Sequence, residues 1–371
     1  PARSAESRIF FTPMPKRFNN LFPQIASFAN LYAAWEAARR GKRRRPGVAA
    51  FERDLESNVL RLERQLLDGS YRPGRYRSFY IREPKKRKIS AAPFRDRVVH
   101  HALVRVIEPI FEARFSSASY ACRVGKGTHR AAEHAQALLR RYRYVLKADV
   151  AQFFPSIDHA VLDALLSRHI ACRRTLDLCR RIMASGDGIL ASEYRLQLFP
   201  GDDLFAALRP RGLPIGNLTS QFWANVYLNS VDTLLQRELR LPHVRYCDDI
   251  LVFADDRARL WEAHAALAQR VAGLRLTLHP VKTRLYRFDE GVEFVGYRLF
   301  REHRRLRRAN VRQFVRRLRR QQRAYRAGEL SADRVRASLR SWIAHASHAN
   351  TYRLRARLLR AHPFVAPERP R

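Results

Sequence analysis

The sequence predicts an α+β fold, in which helices are interspersed with short strands. Three observations predict it: apolar residues recur at helical spacing over long segments, short β-branched or apolar segments lie between them, and 46% of the residues are hydrophobic. That apolar content is enough for a substantial core. A length of 371 residues fits one large domain with subdivisions, or two to three compact units.

Each predicted element follows from its local pattern. Two segments with apolar residues at helical spacing open the chain, separated by the basic loop GKRRRPG. Aromatic and basic residues then alternate between turn signals, which predicts a β-hairpin. In chain order, the sequence predicts helices at 24–40 and 48–68, the hairpin within 69–93, helices at 95–115 and 128–143, a strand at 144–150, helices at 158–169 and 173–184, an irregular stretch at 186–214, a helix at 217–238, two short strands meeting at Asp248 and Asp249, a helix at 257–273, and strands at 274–279, 283–288 and 292–300.

The charge of the chain predicts a polyanionic partner. Its 72 Lys and Arg residues outnumber 34 Asp and Glu residues, which gives a formal net charge of +38. This excess is far beyond what solubility requires, and nucleic acid is the first candidate. From residue 301 onward the sequence is rich in arginine and has no lysine. We therefore expect a separate helical subdomain there, with cationic faces lying along a phosphate backbone.

Other classes of protein are disfavoured. No apolar run approaches the roughly 20 residues of a membrane-spanning helix, and the N-terminal segment lacks the apolar region of a signal peptide. We therefore expect a cytoplasmic protein without a membrane partner. The four cysteines form no CxxC pair, which argues against disulfides and structural zinc.

Paired aspartates occur at 202–203, 248–249 and 255–256. The first pair lies among turn residues, and the third follows a predicted strand and precedes a helix, where aspartate is a common cap. Asp248 and Asp249 differ, because two carboxylates at the tip of an apolar hairpin lose hydration and repel each other unless a cation compensates. The pattern therefore predicts a divalent metal site at this tip.

A further aspartate fits the same chemistry. Metal-assisted phosphoryl transfer uses two ions roughly 3.5 to 4 Å apart, held by carboxylates from different segments of the chain. Asp149 follows the apolar strand predicted at 144–150 and is the natural second contributor. Carboxylate oxygens favour two Mg²⁺ ions over zinc, with Mn²⁺ as the alternative ion.

These residues resemble the palm motifs of reverse transcriptases. Asp149 is followed five residues later by the aromatic Phe154, and YCDD at 246–249 is a Tyr-x-Asp-Asp box. The resemblance runs from about residue 20 to 300, since YIREPKKRKISAAPFRDRVVHHAL resembles the fingers motif, YACRVGKGTHRA the segment after it, LTLHPVKT the lysine-bearing motif and VEFVGYRL the primer grip. Similar motifs in the expected order make the resemblance specific.

The resemblance implies a right-hand polymerase with fingers, a palm in which an antiparallel sheet is flanked by helices, and an α-helical thumb. The implied domains are an N-terminal helical extension at 1–70, fingers at 71–143 and 186–216, a palm at 144–185 and 217–300, and an Arg-rich helical thumb at 301–371. Asp149 and Asp248 would bind two Mg²⁺ ions, with Asp249 in support. The other implied roles are triphosphate binding by Lys85 and Arg87, exclusion of a 2′-hydroxyl by Phe154, packing beside the primer end by Tyr246, an approach to the incoming nucleotide by Lys282, and a primer grip at Phe294, Gly296 and Tyr297.

One departure from the common reverse transcriptase motifs narrows the resemblance to a subgroup of the family. Most reverse transcriptases have Gln-Gly-x-x-x-Ser-Pro where this chain has IGNLTSQ, so that Ile215 replaces glutamine and Gln221 replaces proline in a segment that contacts template and nucleotide. This variant resembles the reverse transcriptases of diversity-generating retroelements, within the bacterial group II intron-like superfamily, which copy a template RNA with misincorporation opposite adenines. Isoleucine offers no hydrogen bond, and a lost contact of about 1 to 2 kcal/mol corresponds to tenfold or more in error rate. The alternative is that Ile215 leaves fidelity unchanged.

This resemblance also implies partners. They are a template RNA, a primer and the growing cDNA, dNTPs, and a small basic accessory protein that forms a pentamer, in a bacterial or phage-encoded retrohoming system. Two alternatives remain: a reverse transcriptase of a retron or of phage defence, and a maturase-like RNA-binding protein whose palm is mainly a scaffold. The sequence has no Cys/His nuclease segment and is short for a maturase, which disfavours the last alternative.

Overall fold

The computed structural model describes residues 16–81 and 87–364, apart from the side chains of Leu204 and Ala207. Within these residues the fold is a mixture of helices and sheets, as the sequence predicts. In the same residues, no helix combines the length and the apolar content that crossing a membrane requires.

Many of the element bounds agree with the sequence patterns, and the exceptions lie in the N-terminal helices and near the C-terminal third. The helices are α1 Phe22–Ala26, α2 Phe28–Arg39, α3 Pro46–Arg53, α4 Leu55–Leu67, α5 Phe94–Glu112, α6 Thr128–Arg141, α7 Phe153–Ser156, α8 His159–Ser167, α9 Arg173–Ala184, α10 Leu218–Thr233, α11 Arg257–Gly273, α12 Arg308–Arg326, α13 Ala332–Ser347 and α14 Tyr352–Ala361. The strands are β1 Arg77–Ile81, β2 Arg87–Ala91, β3 Tyr144–Asp149, β4 His243–Tyr246, β5 Asp249–Ala254, β6 Arg284–Arg287, β7 Val292–Phe294, β8 Tyr297–Leu299 and β9 Arg304–Leu306.

A four-stranded antiparallel sheet with the order β4-β5-β3-β6 lies at the centre of the fold. Side chains alternate between the two faces of a strand, and both faces of this sheet are buried. Leu146, Ala148, Ile250 and Val252 face a core shared with α5, α10 and α11. The opposite face packs against α6 and the β7–β9 sheet through Val145, Leu251 and Phe253. The sheet is therefore held rigidly on both sides.

The N-terminal helices differ from the two long helices predicted. The first divides at Ser27, which is extended (φ −61°, ψ 143°) and whose hydroxyl accepts a hydrogen bond from the Asn30 amide at the start of α2. The second divides at Asp54 (φ −123°, ψ 52°). Both breaks let short helices wrap around α5, because Leu31 and Leu62 join the same core as Leu103.

Two segments near the C-terminal third also differ from expectation. Residues 274–279 are not a strand: Arg275 has φ 57°, and Leu278 makes only an isolated bridge to Val150. Residues 304–306, predicted as part of a helical subdomain, form β9 and pair with β8. The helical segment therefore begins at Arg308, and its stacked Phe314 and Trp342 rings (3.6 Å between centroids) join the core beneath the β7–β9 sheet.

Candidate active site

The central sheet brings three predicted aspartates to one edge. Asp149 ends β3 and lies opposite Asp249, the first residue of β5, in the antiparallel register. The amide of Val150 donates to the carbonyl of Asp248 at 3.2 Å. Cys247 lies in the turn between β4 and β5. Its φ of 57° is a left-handed conformation that closes this tight turn. Residues that are far apart in the sequence are thus neighbours at this edge.

A lysine contacts each of two carboxylates. Lys282 Nζ lies 2.5 Å from Asp149 Oδ2, and Lys147 Nζ lies 3.3 Å from Asp249 Oδ1. Asp248 has no ion-pair partner among the residues that the structure describes. Its carboxylate is therefore the least compensated of the three.

Burial and mutual repulsion raise the pKa of two of these aspartates. Burial, followed by the charges of Asp149 and Asp248, raises the pKa of Asp249 to about 7, although Lys147 opposes the shift. Burial and the charge of Asp149 also raise the pKa of Asp248, against a smaller opposing effect of Arg87. Such shifts are typical of functional carboxylates, because a group that is costly to ionise favours a bound cation.

The donor set fits a hard divalent cation. Asp249 Oδ1 is buried and makes no hydrogen bond within the described part of the chain, although the Lys147 ammonium lies 3.3 Å away, and the carboxylates supply only oxygen ligands. In residues 16–81 and 87–364, no group of three or more His, Cys, Asp or Glu side chains forms a site made by protein alone. Mg²⁺ usually binds through one or two carboxylates, substrate phosphates and water. Asp149 and Asp248 meet that requirement.

Of the predicted nucleotide-binding residues, Arg87 and Lys282 lie close to the carboxylates of this edge. Arg87 is the first residue of β2, and its charge influences Asp248. Lys85 lies outside the described residues. Phe154 is half-buried in α7, directly after β3, with its ring 5.3 Å from that of Phe153. Lys282 reaches Asp149 from the segment before β6.

The loop that bears Ile215 is anchored to β2. The amide of Ser90 donates to the Ile215 carbonyl at 2.9 Å. Asn217, which is 3% exposed, accepts from the Ala92 amide at 3.1 Å and donates to the Ser90 carbonyl at 2.8 Å. Gly216 has φ 114°, and an added Cβ would lie 2.9 Å from Ile89. Gln221 is exposed in the first turn of α10. Sequence reasoning missed Asn217, although a polar residue between glycine and an apolar helix marks it as a cap position.

The predicted primer-grip residues differ in burial: Phe294 and Tyr297 are in the core, whereas Gly296 is half-buried in a turn. Phe294 and Tyr297 are at most 1% exposed, so their side chains belong to the core and not to a binding surface. Gly296, with φ 93°, forms the turn between β7 and β8. Tyr246 is half-buried beside this region and accepts a hydrogen bond from the Thr128 hydroxyl at 3.2 Å. Gly296 is half-buried, and its carbonyl accepts hydrogen bonds from the Asn310 side chain at 3.2 Å and from the Arg307 amide at 3.3 Å.

A buried ion pair that the sequence did not reveal supports the turn. Arg245 is fully buried and lies 2.6 Å from Asp232 on α10. It also donates to the carbonyl of Cys247 at 3.1 Å. Although burial opposes ionisation, Arg245 and a hydrogen bond from His243 hold the pKa of Asp232 below its ordinary value. No local pattern pairs a strand arginine with a helix aspartate, so this contact depends on the tertiary fold.

Carboxylates from two strand ends that meet at one edge are an arrangement with which enzymes that transfer nucleotidyl groups hold divalent metal ions. The model of the family described as "Reverse transcriptase (RNA-dependent DNA polymerase)" matches residues 81–299, which is more than half of the chain. The chain therefore belongs to the reverse transcriptase family and is an RNA-directed DNA polymerase. Members of this family use divalent metal ions, an RNA template, a primer and dNTPs.

Similar curated proteins include bacterial and intron-related relatives. Protein YkfC of Escherichia coli (strain K12) is 25% identical over 292 residues, which are 68% of this chain and 73% of that protein. Nuclear intron maturase 2, mitochondrial, of Arabidopsis thaliana is 27% identical over 153 residues, 37% of this chain and 21% of that protein. The group II intron-encoded protein LtrA of Lactococcus lactis subsp. cremoris is 24% identical over 180 residues, 48% of this chain and 28% of that protein. The matches thus span less than a third of the two intron-related relatives.

Proposed function

We propose that the chain copies a template RNA into cDNA with two Mg²⁺ ions and with low selectivity at template adenines, as in mutagenic retrohoming of a diversity-generating retroelement. The observation that carries the polymerase part of this proposal is the contact between β3 and the β4–β5 turn, where Val150 donates to the Asp248 carbonyl at 3.2 Å. It brings the carboxylates of Asp149 and Asp248 to one edge. Asp249 supports them from the opposing strand.

A divalent metal would supply concentrated positive charge beside the reacting groups. Bound Mg²⁺ would lower the pKa of a primer 3′-hydroxyl and offset charge on the departing pyrophosphate. Asp149 and Asp248 would hold it. Lys282 forms an ion pair with Asp149 at 2.5 Å and is close enough to meet the phosphates of a nucleotide bound there.

Residues on both sides of the carboxylate edge bind the incoming nucleotide in this proposal. Arg87, at the start of β2, neutralises the triphosphate together with Lys85, since a polyanion must be screened before its α-phosphate is attacked. Phe154 lies directly after β3, and its ring closes the space beneath the sugar, which excludes a 2′-hydroxyl. The backbone of Phe154 is held by a hydrogen bond from Leu213 at 2.9 Å.

The adenine-directed part of the proposal depends on Ile215. Its backbone is tied to β2 by the Ser90 hydrogen bond, and Asn217 fixes the same loop, so the side chain has a defined position. An isoleucine there discriminates between bases by shape alone, which reduces the free-energy gap between right and wrong pairs. Gln221 on α10 is exposed and available to a template base.

The template and the primer are held by the turn at Gly296, by Tyr246 and by the C-terminal helices in this proposal. The fingers, palm and thumb boundaries given above are proposals, with the thumb helices beginning at Arg308. The turn at Gly296 and the ring of Tyr246 hold the primer end. The arginines of α12 to α14 bind the phosphates of the duplex. A basic pentameric accessory protein is the proposed partner for priming.

A maturase-like role in binding folded RNA is the second candidate, because two of the relatives described above are intron-related proteins. A cationic cluster outside the carboxylate site also favours RNA binding. Arg97 and Arg105 are eight residues apart on α5, next to Lys42 and Arg45 in the segment before α3. Burial, followed by the charges of Arg97 and Arg45, lowers the pKa of Lys42, so these cations are close together.

Primer extension separates these functions. The wild-type chain, an RNA template, a DNA primer and Mg²⁺ are combined with single dNTPs. The proposal predicts cDNA synthesis, with misincorporation concentrated at template adenines. Faithful copying at adenines would instead favour a retron or phage-defence type of reverse transcriptase. RNA binding without any synthesis would favour the maturase-like role.

A further inference from the structure

Lys147 is a largely, though not fully, buried lysine in the centre of the sheet. It lies on β3 two residues before Asp149, and its side chain is only 15% exposed. Alternate residues of a strand share a face, so Lys147 lies on the same face as Val145 and Asp149. Its register partner is Leu251. Lysine is rarely buried in such an apolar setting unless its charge is paired.

The ammonium group of Lys147 joins two other strands. It lies 3.3 Å from Asp249 Oδ1 and 3.4 Å from Oδ2, and it donates to the carbonyl of Glu293 in β7 at 2.6 Å. The first contact is to the carboxylate edge, and the second is to the hairpin that carries the Gly296 turn. One side chain therefore connects the start of β5 with β7.

Stability alone does not explain a lysine at this position. The neighbouring side chains on this face, Val145 and Leu251, belong to an apolar core, and replacing a buried ion pair with apolar residues of similar volume is often neutral or stabilising. A lysine that reaches both a carboxylate and a backbone carbonyl instead fixes the orientation of both groups. A function in aligning them accounts for the charge.

We propose that Lys147 is a positioning residue that holds the Asp249 carboxylate against the β7–β8 hairpin, so that the primer end and the carboxylate edge keep one relative geometry. This inference rests on the proposed function. Lys147 itself touches neither nucleotide nor primer. It acts through Asp249 and through the Glu293 carbonyl, and its loss misaligns the reacting groups without removing a binding contact for dNTP.

A double-mutant cycle tests this inference. The variants are Lys147→Met, which has a similar length and no charge, Asp249→Asn, and both together. Lys16→Met is the control, because it makes the same change at a lysine that lies over the Phe18 ring, 5.7 Å from its centroid, outside the carboxylate site and outside the polymerase motifs. Steady-state primer extension gives kcat and the KM for dNTP, and chemical denaturation gives the unfolding equilibrium constant.

We expect Lys147→Met to lower kcat about tenfold or more while changing the KM for dNTP less than threefold. Because Lys147 acts in part through Asp249, the loss in the double variant should be smaller than the product of the two single losses. The control should retain the wild-type kcat. Multiplicative losses in the double variant, or a Lys147→Met kcat within twofold of wild type, would overturn the inference.

The outcome for the proposed function is separate. A wild-type chain that makes no cDNA would refute that function. The cycle on the unfolding equilibrium constant would then decide whether the two residues are coupled at all. Coupling of about tenfold supports the alignment of Asp249 by Lys147, and additive effects on unfolding refute it.

Discussion

Arg245 and Asp232 form a fully buried ion pair, 2.6 Å apart, beneath the turn that carries Tyr246 and Asp248. Asp232 belongs to α10 and Arg245 to β4, so the pair ties the helix to the strand. Since Arg245 also donates to the Cys247 carbonyl, it fixes the backbone of the turn itself. The position of the carboxylates thus depends on a contact outside the site.

Removing one partner of this pair should destabilise the fold. Arg245→Met leaves the Asp232 carboxylate buried without its cation, which typically costs about 3 to 5 kcal/mol. Arg180→Met is the matched control, because Arg180 pairs with Asp163 at 2.9 Å on the surface, where the side chains are 49% and 27% exposed, and such a pair is worth about 0 to 1 kcal/mol. Urea denaturation measures both. Equal effects of the two substitutions would refute the stabilising role of the buried pair.

A buried histidine should make the fold sensitive to acid. Burial, followed by the charges of His101 and Arg97, lowers the pKa of His100 from 6.5 to about 3, and neither ring nitrogen has a hydrogen-bond partner in the described residues. The unfolded chain therefore binds a proton that the folded chain refuses between about pH 6.5 and pH 3. This histidine costs stability as the pH falls through that window, by about 2 kcal/mol at pH 5.

His100→Leu checks this pH dependence. The difference in unfolding free energy between the variant and wild type should grow in favour of the variant from pH 7 to pH 5, because leucine takes up no proton in the unfolded chain. Denaturation curves at several pH values give that difference. A difference that stays constant with pH would show that folding does not lower the pKa of His100.

Ile215 should control the error spectrum. In Ile215→Gln, the new amide can hydrogen-bond near the nucleotide and the template, so misincorporation at template adenines should fall about tenfold. Ile215→Val keeps the apolar surface and serves as the control, with the wild-type spectrum expected. Sequencing of the cDNA measures both. An unchanged error spectrum in Ile215→Gln would contradict this role of Ile215 and would place the source of misincorporation at another residue.

Phe154 should control the choice of sugar. Phe154→Ala opens the space beneath the sugar, so the efficiency of ribonucleotide incorporation relative to deoxynucleotides should rise about tenfold or more. The ring is half-buried and packs edge-to-face against Phe153, so the folded fraction of the variant must be measured alongside. Unchanged sugar discrimination in a folded variant would place the gate elsewhere.

Elements with a strong local pattern were predictable. The helices at 173–184 and 257–273 have the bounds that the sequence indicates, and Asp256 caps the second one by accepting from the Ala258 amide at 2.9 Å. Asp149 and Asp248 could be placed at one edge because each follows or precedes an apolar strand. Periodicity and turn chemistry determine these features locally.

Features that depend on tertiary contacts were not predictable. β9 is made of Arg304 to Leu306, whose basic composition carries no strand signal, and it forms because β8 offers a free edge. The sequence 274–279 alternates as a strand should, but a left-handed residue at Arg275 interrupts it. Lys147 appeared as one basic residue among 72, and only the structure shows that it contacts Asp249.

Primer extension by an isosteric pair of variants tests the central claim most directly. Asp248→Asn keeps the shape of the side chain and removes the charge that holds a divalent ion, whereas Asp256→Asn makes the same change at a helix cap, where asparagine serves equally well. With RNA template, DNA primer and Mg²⁺, we expect Asp256→Asn to match the wild type and Asp248→Asn to lose cDNA synthesis by at least about a thousandfold. Synthesis by Asp248→Asn at the wild-type rate would contradict the account.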